Sequence, residues 1–264
     1  PVFCEPDEYY NIDASKIESL ITSKTKAILA VHLYGQPCDM KSIKQICDKH
    51  KLYLVEDCAQ SHGSTYDGIM TGRFSDIGCF SFYPSKNLGA FGDAGAIVTD
   101  NSELADKIRV LRNYGSEKRY YNEVVGYNSR LDELQAGLLR VKLKYLDELN
   151  KERIDIAKRY LSEVDNPKII LPKILDKAMP IWHLFVVRVK DRAEFISYLN
   201  ECNIGSVIHY PIPPHLSQAY EYLGYKEGDY PITESYANEV VSLPIYNGMT
   251  KEEVDYAIKC LNKY

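Results

Sequence analysis

The sequence lacks the cysteine spacing of a zinc or redox site, because none of its seven cysteines forms a CxxC pair. Their number is odd, so we expect reduced thiols in a reducing compartment in preference to disulfides. The formal net charge of −5 shows no basic excess, which argues against a nucleic-acid partner. No uninterrupted apolar run is long enough to cross a membrane, and no signal peptide is recognisable. We therefore expect a cytoplasmic protein without a nucleic-acid or membrane partner.

The 264 residues suffice for one large domain or two modest ones, and a 45% hydrophobic content is ordinary for a globular protein. Strand and helix patterns alternate in the first half. The strand patterns are KAILAVHL, KLYLVED, IGCFSF and GAIVTD, and the helical ones are DASKIESLIT, DMKSIKQICDKH and NSELADKIRVLRNYG. This alternation predicts an α/β fold with a mostly parallel sheet. Ligands bind at the carboxyl ends of such strands, where Asp57 and the turn at residues 81–86 fall.

The second half begins with a helical pattern from residue 129 to about 164, which would extend about 50 Å if unbroken. Prolines in DNPKIILPKI end it. The rest mixes the strand patterns IWHLFVVRV and GSVIHY with the helix RAEFISYLNECN and a last helix that Thr250 caps. We predict a large domain at residues 1–150, including the connecting helix, and a small α/β domain at residues 151–264.

One lysine, Lys86, stands in the apolar and glycine-rich stretch FSFYPSKNLGAFGDAG. A desolvated lysine has a lowered pKa and becomes a nucleophile that can form a Schiff base. Ser81 lies between Phe80 and Phe82 and can offer a hydroxyl to a phosphate. The alternative is a surface turn with a solvated lysine. A P-loop is excluded, because the pattern GxxxxGK[ST] is absent.

A second stretch, LVEDCAQSHG, ends a strand with the acidic pair Glu56 and Asp57 and continues with Gln60 and His62. A carboxylate at this end of a strand can orient and protonate a bound group. Two alternatives are open: the pair binds a metal, for which no matching cluster exists, or Asp57 caps the following turn. An aspartate about thirty residues before a lysine on a parallel sheet suits pyridoxal phosphate, which needs a lysine, an acid for its ring nitrogen and donors for its phosphate.

Five motifs occur in order along the chain: VHLYGQPCDM, EDCAQSHGSTYDG, FSFYPSKNLGAFGDAGAIVTD, LRNYGS and GYNSRLDELQA. They resemble the DegT/DnrJ/EryC1/StrS family of sugar aminotransferases. The resemblance implies the pyridoxal-phosphate-dependent fold type I, aspartate-aminotransferase-like, in which the large domain binds the cofactor. It also implies that the large domain is N-terminally incomplete, because family members carry a phosphate-binding loop at a helix start before this point.

The resemblance also implies roles for individual residues. Lys86 forms the Schiff base with pyridoxal 5′-phosphate and shuttles the proton between the cofactor and the sugar. Asp57 pairs with the ring nitrogen, Gln60 lies beside the ring, and Ser81 binds the phosphate. Asn128 reaches the phosphate of the neighbouring subunit's cofactor, which implies a homodimer with shared active sites.

Two further residues, Tyr83 and His209, are candidates for binding the sugar substrate, by their positions in the lysine turn and in the sequence HYP. For His209 a second interpretation is equally open, namely a histidine packed at the end of a strand. No residue is assigned to a metal.

The motifs are most similar to those of enzymes that aminate C3 of thymidine-diphosphate sugars. We therefore expect transfer of the amine of glutamate to a dTDP-3-keto-6-deoxyhexose by a ping-pong reaction, in deoxyaminosugar biosynthesis for an O-antigen or S-layer glycan. One alternative is amination of a UDP-ketosugar at C4, or of an inositol ketone. The other is a non-catalytic fragment unable to hold the cofactor. Lys86 argues against those relatives that carry a histidine in its place and eliminate water.

Overall fold

The computed structural model describes all residues from 1 to 264. The helices are α1 (Ala14–Ile17), α2 (Met40–His50), α3 (Ser102–Leu111), α4 (Glu133–Leu143), α5 (Leu146–Glu163), α6 (Arg192–Glu201), α7 (Pro231–Glu239) and α8 (Lys251–Leu261). The strands are β1 (Ala27–Val31), β2 (Tyr53–Asp57), β3 (Thr65–Tyr66), β4 (Ile69–Met70), β5 (Ile77–Ser81), β6 (Gly95–Val98), β7 (Ala178–Met179), β8 (Phe185–Arg188) and β9 (Val240–Leu243). None of the helices combines the length and the apolar composition that crossing a membrane requires.

The main sheet has the strand order β1-β2-β5-β6. Strands β1, β2 and β5 are parallel, so the predicted α/β fold with a mostly parallel sheet is confirmed. The last strand, β6, is antiparallel to β5. The chain between β5 and β6 contains no helix to carry it back across the sheet, and a direct return makes an antiparallel pair.

The two faces of the main sheet differ in burial. Ile28 and Leu54 point to one face and belong to a core cluster with Met40 and Ile43 of the α2 region. Their neighbours along the strands alternate to the other face, where Leu29 is 58% exposed. Asp57 lies two residues after Val55 and four residues after Tyr53, so by the same alternation its side chain points to this open face.

A larger core lies in the C-terminal part, where α5, α6 and α8 pack against β8 and β9. It contains 20 buried residues, with Tyr160, Phe185 and Phe195 among the most enclosed. A smaller cluster of Tyr10, Tyr34, Val186 and Val240 joins the two parts of the chain. The domain boundary at residue 150 stays a prediction.

The predicted continuous helix from residue 129 to 164 is wrong. The structure divides it into α4 and α5, with a break at residues 144–145. No proline or glycine causes this break. Instead Leu146, at the start of α5, is buried in one cluster with Leu139 of α4 and with Leu88 and Ala90, so the helix ends where packing against the lysine turn requires it.

Two predicted strands are shorter than expected. In IWHLFVVRV only β8 is extended, because the carbonyl oxygens of Trp182 and His183 accept hydrogen bonds from the Arg153 guanidinium instead of joining a ladder. GSVIHY forms a single bridge, between Val207 and Ser242, since Pro211 soon follows and has no N–H to continue the pairing. The pattern DASKIESLIT gives only α1 followed by a short 3-10 turn.

Candidate active site

Asp57 and Ser81 extend from the same face of the main sheet. Asp57 pairs with Cys79 across β2 and β5, so their side chains share a face. Ser81 lies two residues beyond Cys79 in β5 and therefore returns to that face. Both residues end their strands, so a carboxylate and a hydroxyl meet at the carboxyl edge of the sheet, as the sequence predicted for a ligand site.

The Asp57 carboxylate is partly used by the protein. Its Oδ1 accepts a hydrogen bond from the backbone N–H of Ala59 at 2.9 Å, which is the turn-capping role that the sequence left open. Its Oδ2 accepts none within the chain. One carboxylate oxygen of Asp57 is thus available to a ligand on the open face.

Glu56 points to the opposite, closed face of β2 and has a structural role. His32 and Gly72 donate to its Oε1, while Phe74 and Ser75 donate to its Oε2. Burial acts to raise the pKa of Glu56, but these hydrogen bonds outweigh it and leave the pKa below its usual range. The carboxylate is therefore saturated by protein donors, although Glu56 and His32 lie close enough to Cys58 to form a metal-sized cluster.

Gln60 is buried on the loop after β2, and both ends of its amide bind the protein. Its Oε1 accepts from the backbone N–H of Tyr34 at 2.6 Å, and its Nε2 donates to the Tyr210 hydroxyl at 3.2 Å. Gln60 thus ties together segments from both parts of the chain. The contact with a cofactor ring stays a prediction.

The turn after β5 carries Lys86 and leaves the Ser81 hydroxyl proton free. Ser81 Oγ accepts from the backbone N–H of Tyr83 at 3.3 Å, and the N–H of Lys86 donates to the Tyr83 carbonyl at 2.9 Å. Tyr83 itself is 53% exposed. The turn therefore presents a hydroxyl donor, an exposed tyrosine and a lysine at one edge of the sheet.

Lys86 is half-buried, and its amine makes no hydrogen bond within the chain. Burial lowers the pKa of Lys86, while the negative charge of Asp57 acts in the opposite direction. The pKa of three nearby histidines responds to the charge of Lys86: these are His62, His183 and His209. A lysine with a lowered pKa, an acid and neutral imidazoles thus occupy one site.

All three histidines are neutral at pH 7. Burial lowers the pKa of His62 to about 4 and that of His183 to about 3. Burial also lowers the pKa of His209, whose Nδ1 lies 2.8 Å from the Ser242 hydroxyl. His209 therefore packs against the bridge to β9, as the second interpretation expects, while its role toward a sugar stays a prediction.

Asn128 lies apart from this group. It is exposed, its Oδ1 accepts from the Arg130 guanidinium at 3.1 Å, and its backbone pairs with Asn113. Within one chain no hydrogen bond joins Asn128 to Lys86. Its part in a neighbouring subunit's site stays a prediction.

The sequence missed His183, Asn87 and Asn150, which are buried polar residues beside Lys86. A signal existed for His183, because it interrupts the apolar run IWHLF. The two asparagines gave no signal, since asparagine is common on exposed helices and turns and only burial distinguishes these two.

The donor set fits pyridoxal phosphate. Lys86 has a partnerless amine, Asp57 has a free oxygen, and the Ser81 hydroxyl proton is unused. A lysine for the Schiff base, an acid for the ring nitrogen and a hydroxyl donor for the phosphate are the groups that pyridoxal phosphate requires.

Comparisons with known proteins agree with this chemistry. The model of the DegT/DnrJ/EryC1/StrS aminotransferase family matches residues 1–262. The dTDP-3-amino-3,6-dideoxy-alpha-D-galactopyranose transaminase of Aneurinibacillus thermoaerophilus is 54% identical over 265 residues, and the match covers all of this chain and 72% of that protein.

Two solved structures extend the comparison. S. venezuelae DesV in complex with a ketimine intermediate has a TM-score of 0.97 and 45% identity, covering all of this chain and 71% of DesV. NtdA from Bacillus subtilis with the bound cofactor PMP has a TM-score of 0.89 and 35% identity, covering 99% of this chain and 61% of NtdA. The chain belongs to the DegT/DnrJ/EryC1/StrS aminotransferase family, and it is an aminotransferase whose cofactor is pyridoxal phosphate.

Proposed function

We propose that the protein transfers an amine from glutamate to a nucleotide-linked ketosugar, and that the sugar is a dTDP-3-keto-6-deoxyhexose aminated at C3. One observation carries the proposal: the half-buried Lys86 amine has no protein partner and lies near Asp57, on the face that also bears Ser81. The similarity to a transaminase that makes a dTDP-3-amino sugar supports the choice of nucleotide and carbon.

Each residue of the site has a role suited to its surroundings. When bound, pyridoxal phosphate supplies the electron sink for cleavage of a C–H bond. Lys86 would hold the cofactor and serve as the base that accepts and returns a proton, for which a lowered pKa is suitable. Asp57 would hold the ring nitrogen through its free oxygen, and the Ser81 hydroxyl would donate to the phosphate. Gln60 fixes the loop beside the ring.

The sugar side of the site is assigned to Tyr83 and His209. The exposed ring of Tyr83 stands in the lysine turn and is open to a ligand. His209 belongs to the C-terminal part of the chain but lies close enough to Lys86 for the lysine charge to affect its pKa. A sugar bound between them would contact both parts of the protein.

A homodimer is part of the proposal, with Asn128 completing the partner's site. The support is a group of exposed apolar side chains that flank Asn128 in the sequence, where Tyr120 is 81%, Val125 94% and Leu134 75% exposed. Apolar surface of this extent commonly marks an interface.

All seven cysteines are free thiols, which supports a reducing, cytoplasmic location.

The covalent role of Lys86 can be tested by treating the chain with pyridoxal phosphate and then borohydride, followed by peptide mass spectrometry. We expect one modified site, Lys86, and its complete loss in Lys86→Ala, whereas the exposed-site control Lys24→Ala retains it. Modification that persists in Lys86→Ala at another lysine would contradict the assignment, and no modification of the wild type would favour a non-catalytic protein.

The substrate is tested separately, by parallel assays with glutamate and ketosugars that carry the carbonyl at C3 or at C4. We expect product only from the dTDP-3-keto-6-deoxyhexose. Amination of a UDP-4-ketosugar instead would overturn the choice of substrate while leaving the aminotransferase assignment in place.

A further inference from the structure

A closed set of hydrogen bonds joins the loop after β2 to the segment that contains His209 and Tyr210. The Tyr34 backbone N–H donates to Gln60 Oε1 at 2.6 Å, and Gln60 Nε2 donates to the Tyr210 hydroxyl at 3.2 Å. The Tyr34 hydroxyl donates to the backbone carbonyl of His209, the residue before Tyr210. We call these three bonds the tyrosine clamp. Tyr34 closes it, because its backbone binds one end and its side chain binds the other.

The direction of each bond in the tyrosine clamp follows from its backbone members. A backbone N–H only donates, so the Gln60 amide must present its oxygen to Tyr34 and its nitrogen to Tyr210. An amide nitrogen also only donates, so the Tyr210 hydroxyl is the acceptor in its bond with Gln60. The hydroxyl proton of Tyr210 is therefore not used by Gln60, and it makes no other hydrogen bond within the chain.

Tyr210 is the member of the tyrosine clamp that a ligand can reach. It is 50% exposed, whereas Tyr34 and Gln60 are buried. Gln60 lies three residues after Asp57, which ends β2 at the carboxyl edge of the main sheet. The ring of Tyr210 also lies edge-on to that of His209, with the two centroids 5.4 Å apart. Tyr210 thus contacts both the loop that follows Asp57 and a residue proposed for the sugar side.

The surroundings of the Tyr210 hydroxyl make it a strong and neutral donor. A hydroxyl that accepts one hydrogen bond is polarised and donates more strongly to a third group. The bond from Gln60 also limits where the hydroxyl can lie, so less freedom is lost when it binds a ligand. No lysine or arginine makes a hydrogen bond with a member of the tyrosine clamp, although a carboxylate or phosphate binds best to such a cation. The hydroxyl is therefore suited to an uncharged oxygen.

We propose that Tyr210 is a further substrate-binding residue, which donates its hydroxyl proton to an uncharged oxygen of the sugar, and that Tyr34 is the residue that positions it. The inference rests on the proposed function, which it deepens by adding a donor to the sugar side beside Tyr83 and His209. Neither new residue is distinctive in the sequence, because the chain has 22 tyrosines.

The donor is tested by comparing the two substrates of the holoenzyme. Tyr210→Phe removes only the hydroxyl, so we expect the KM for the ketosugar to rise about tenfold, while the KM for glutamate stays within about twofold of wild type. A hydroxyl that only holds Gln60 would affect both substrates alike, because Gln60 is proposed to lie beside the cofactor. An effect on glutamate as large as that on the ketosugar, or an unchanged KM for the ketosugar, would refute the proposal.

The positioning role is tested by Tyr34→Phe, with Tyr160→Phe as the matched control. Both variants lose a buried hydroxyl that donates to a backbone carbonyl, since the Tyr160 hydroxyl bonds to Pro244 at 2.9 Å in the C-terminal core. We expect Tyr34→Phe to raise the KM for the ketosugar about threefold, because the donor is retained but less well held. Tyr160→Phe should leave this KM unchanged.

A double variant distinguishes positioning from an independent effect of Tyr34. If Tyr34 acts through the Tyr210 hydroxyl, the variant with both substitutions should have the same KM for the ketosugar as Tyr210→Phe alone. Multiplied effects in the double variant, about thirtyfold in total, would show that Tyr34 acts by another route and would overturn the positioning role.

Hydrogen exchange tests the tyrosine clamp without cofactor or substrate. The Val207 N–H donates to the Ser242 carbonyl in the bridge just before His209, so exchange of the peptide that contains Val207 reports how often this segment opens. We expect about threefold to tenfold faster exchange in Tyr34→Phe and no change in Tyr160→Phe. Equal exchange in the two variants would show that Tyr34 does not hold the segment.

The wild type reports separately on the proposed function. A wild type that aminates no ketosugar would overturn that function, and with it the sugar as the partner of Tyr210. A wild type that aminates a ketosugar with a KM that Tyr210→Phe leaves unchanged would overturn the inference alone.

Discussion

Gly89 lies against the carbonyl oxygen of Pro84 so closely that a Cβ on residue 89 would be 2.3 Å from that oxygen. The neighbouring atom is backbone and cannot rotate away. The turn between Pro84 and Gly89 contains Lys86, so the absence of a side chain at residue 89 helps to determine where the lysine is held.

Gly89→Ala is therefore expected to deform the lysine turn. We expect a loss of about 1–3 kcal/mol in the free energy of unfolding, as for other overpacked sites, together with weaker capture of pyridoxal phosphate at Lys86. Gly137→Ala is the matched control, because a Cβ there meets nothing within 4 Å and the residue lies in α4. It should gain about 0.5–1 kcal/mol. Urea unfolding of both variants gives the comparison, and equal stabilities would contradict the steric argument.

The capping box at the start of α8 gives a second prediction. Thr250 Oγ accepts from the backbone N–H of Glu253, and the Glu253 carboxylate accepts from the backbone N–H of Thr250. Thr250→Ala should cost about 1 kcal/mol, while Thr250→Ser should retain most of the stability. Thermal unfolding measures both. A Thr250→Ser variant as unstable as Thr250→Ala would show that the methyl group, and not the hydroxyl, is responsible.

Local signals in the sequence predicted much of the fold. Four of the helices begin after a residue whose side-chain oxygen caps them, as such residues before a helical pattern predict. These caps are Asp13, Asp39, Asn101 and Thr250. The alternation of strands and helices gave the parallel part of the sheet. The structure also contains α7, which the sequence patterns above did not predict, although it begins with Pro231, a residue that is common at the first position of a helix.

Features set by tertiary contacts could not be predicted in this way. The break between α4 and α5 depends on Leu146 meeting Leu88, which is distant in sequence. In the site, Asp57 and Lys86 were evident because an acid and a lysine stand at strand ends, but the orientation of the Gln60 amide depends on two tyrosines from other segments. Only the folded chain brings these groups together.

Glu56 supports the strand that carries Asp57, and its removal should be costly. Five donors, from His32 and from residues 72–75, point at its carboxylate. Glu56→Gln brings an amide N–H against some of these donors, so we expect a loss of about 3–5 kcal/mol in the free energy of unfolding at pH 7. The exposed-site control Glu252→Gln should change stability by less than about 0.5 kcal/mol. A Glu56→Gln protein as stable as this control would contradict the role.

The same carboxylate predicts a pH dependence. The pKa of Glu56 is lowered in the folded protein, so its ionised form stabilises the fold above the unfolded pKa of about 4.3, and this stabilisation is lost as the pH falls through the lower folded value. The difference in stability between wild type and Glu56→Gln should therefore shrink in acid. Urea unfolding between pH 7 and pH 3 measures it, and a difference that grows toward low pH would reverse the sign of the argument.

We expect the charged side chain of Lys86 to lower the free energy of unfolding of the protein. Burial lowers its pKa, which means that the charged amine is less stable in the fold than in water. Lys86→Met is therefore expected to be more stable than wild type at pH 7, by less than about 1 kcal/mol because half of the side chain remains in contact with solvent. The penalty is fully present below the folded pKa and disappears as the pH rises through the unfolded value of about 10.4, so the gain should vanish at high pH. Urea unfolding at pH 7 and at about pH 11, above the unfolded pKa, with Lys24→Met as the exposed control, tests this. A Lys86→Met variant less stable than that control at pH 7 would show that Lys86 stabilises the turn instead.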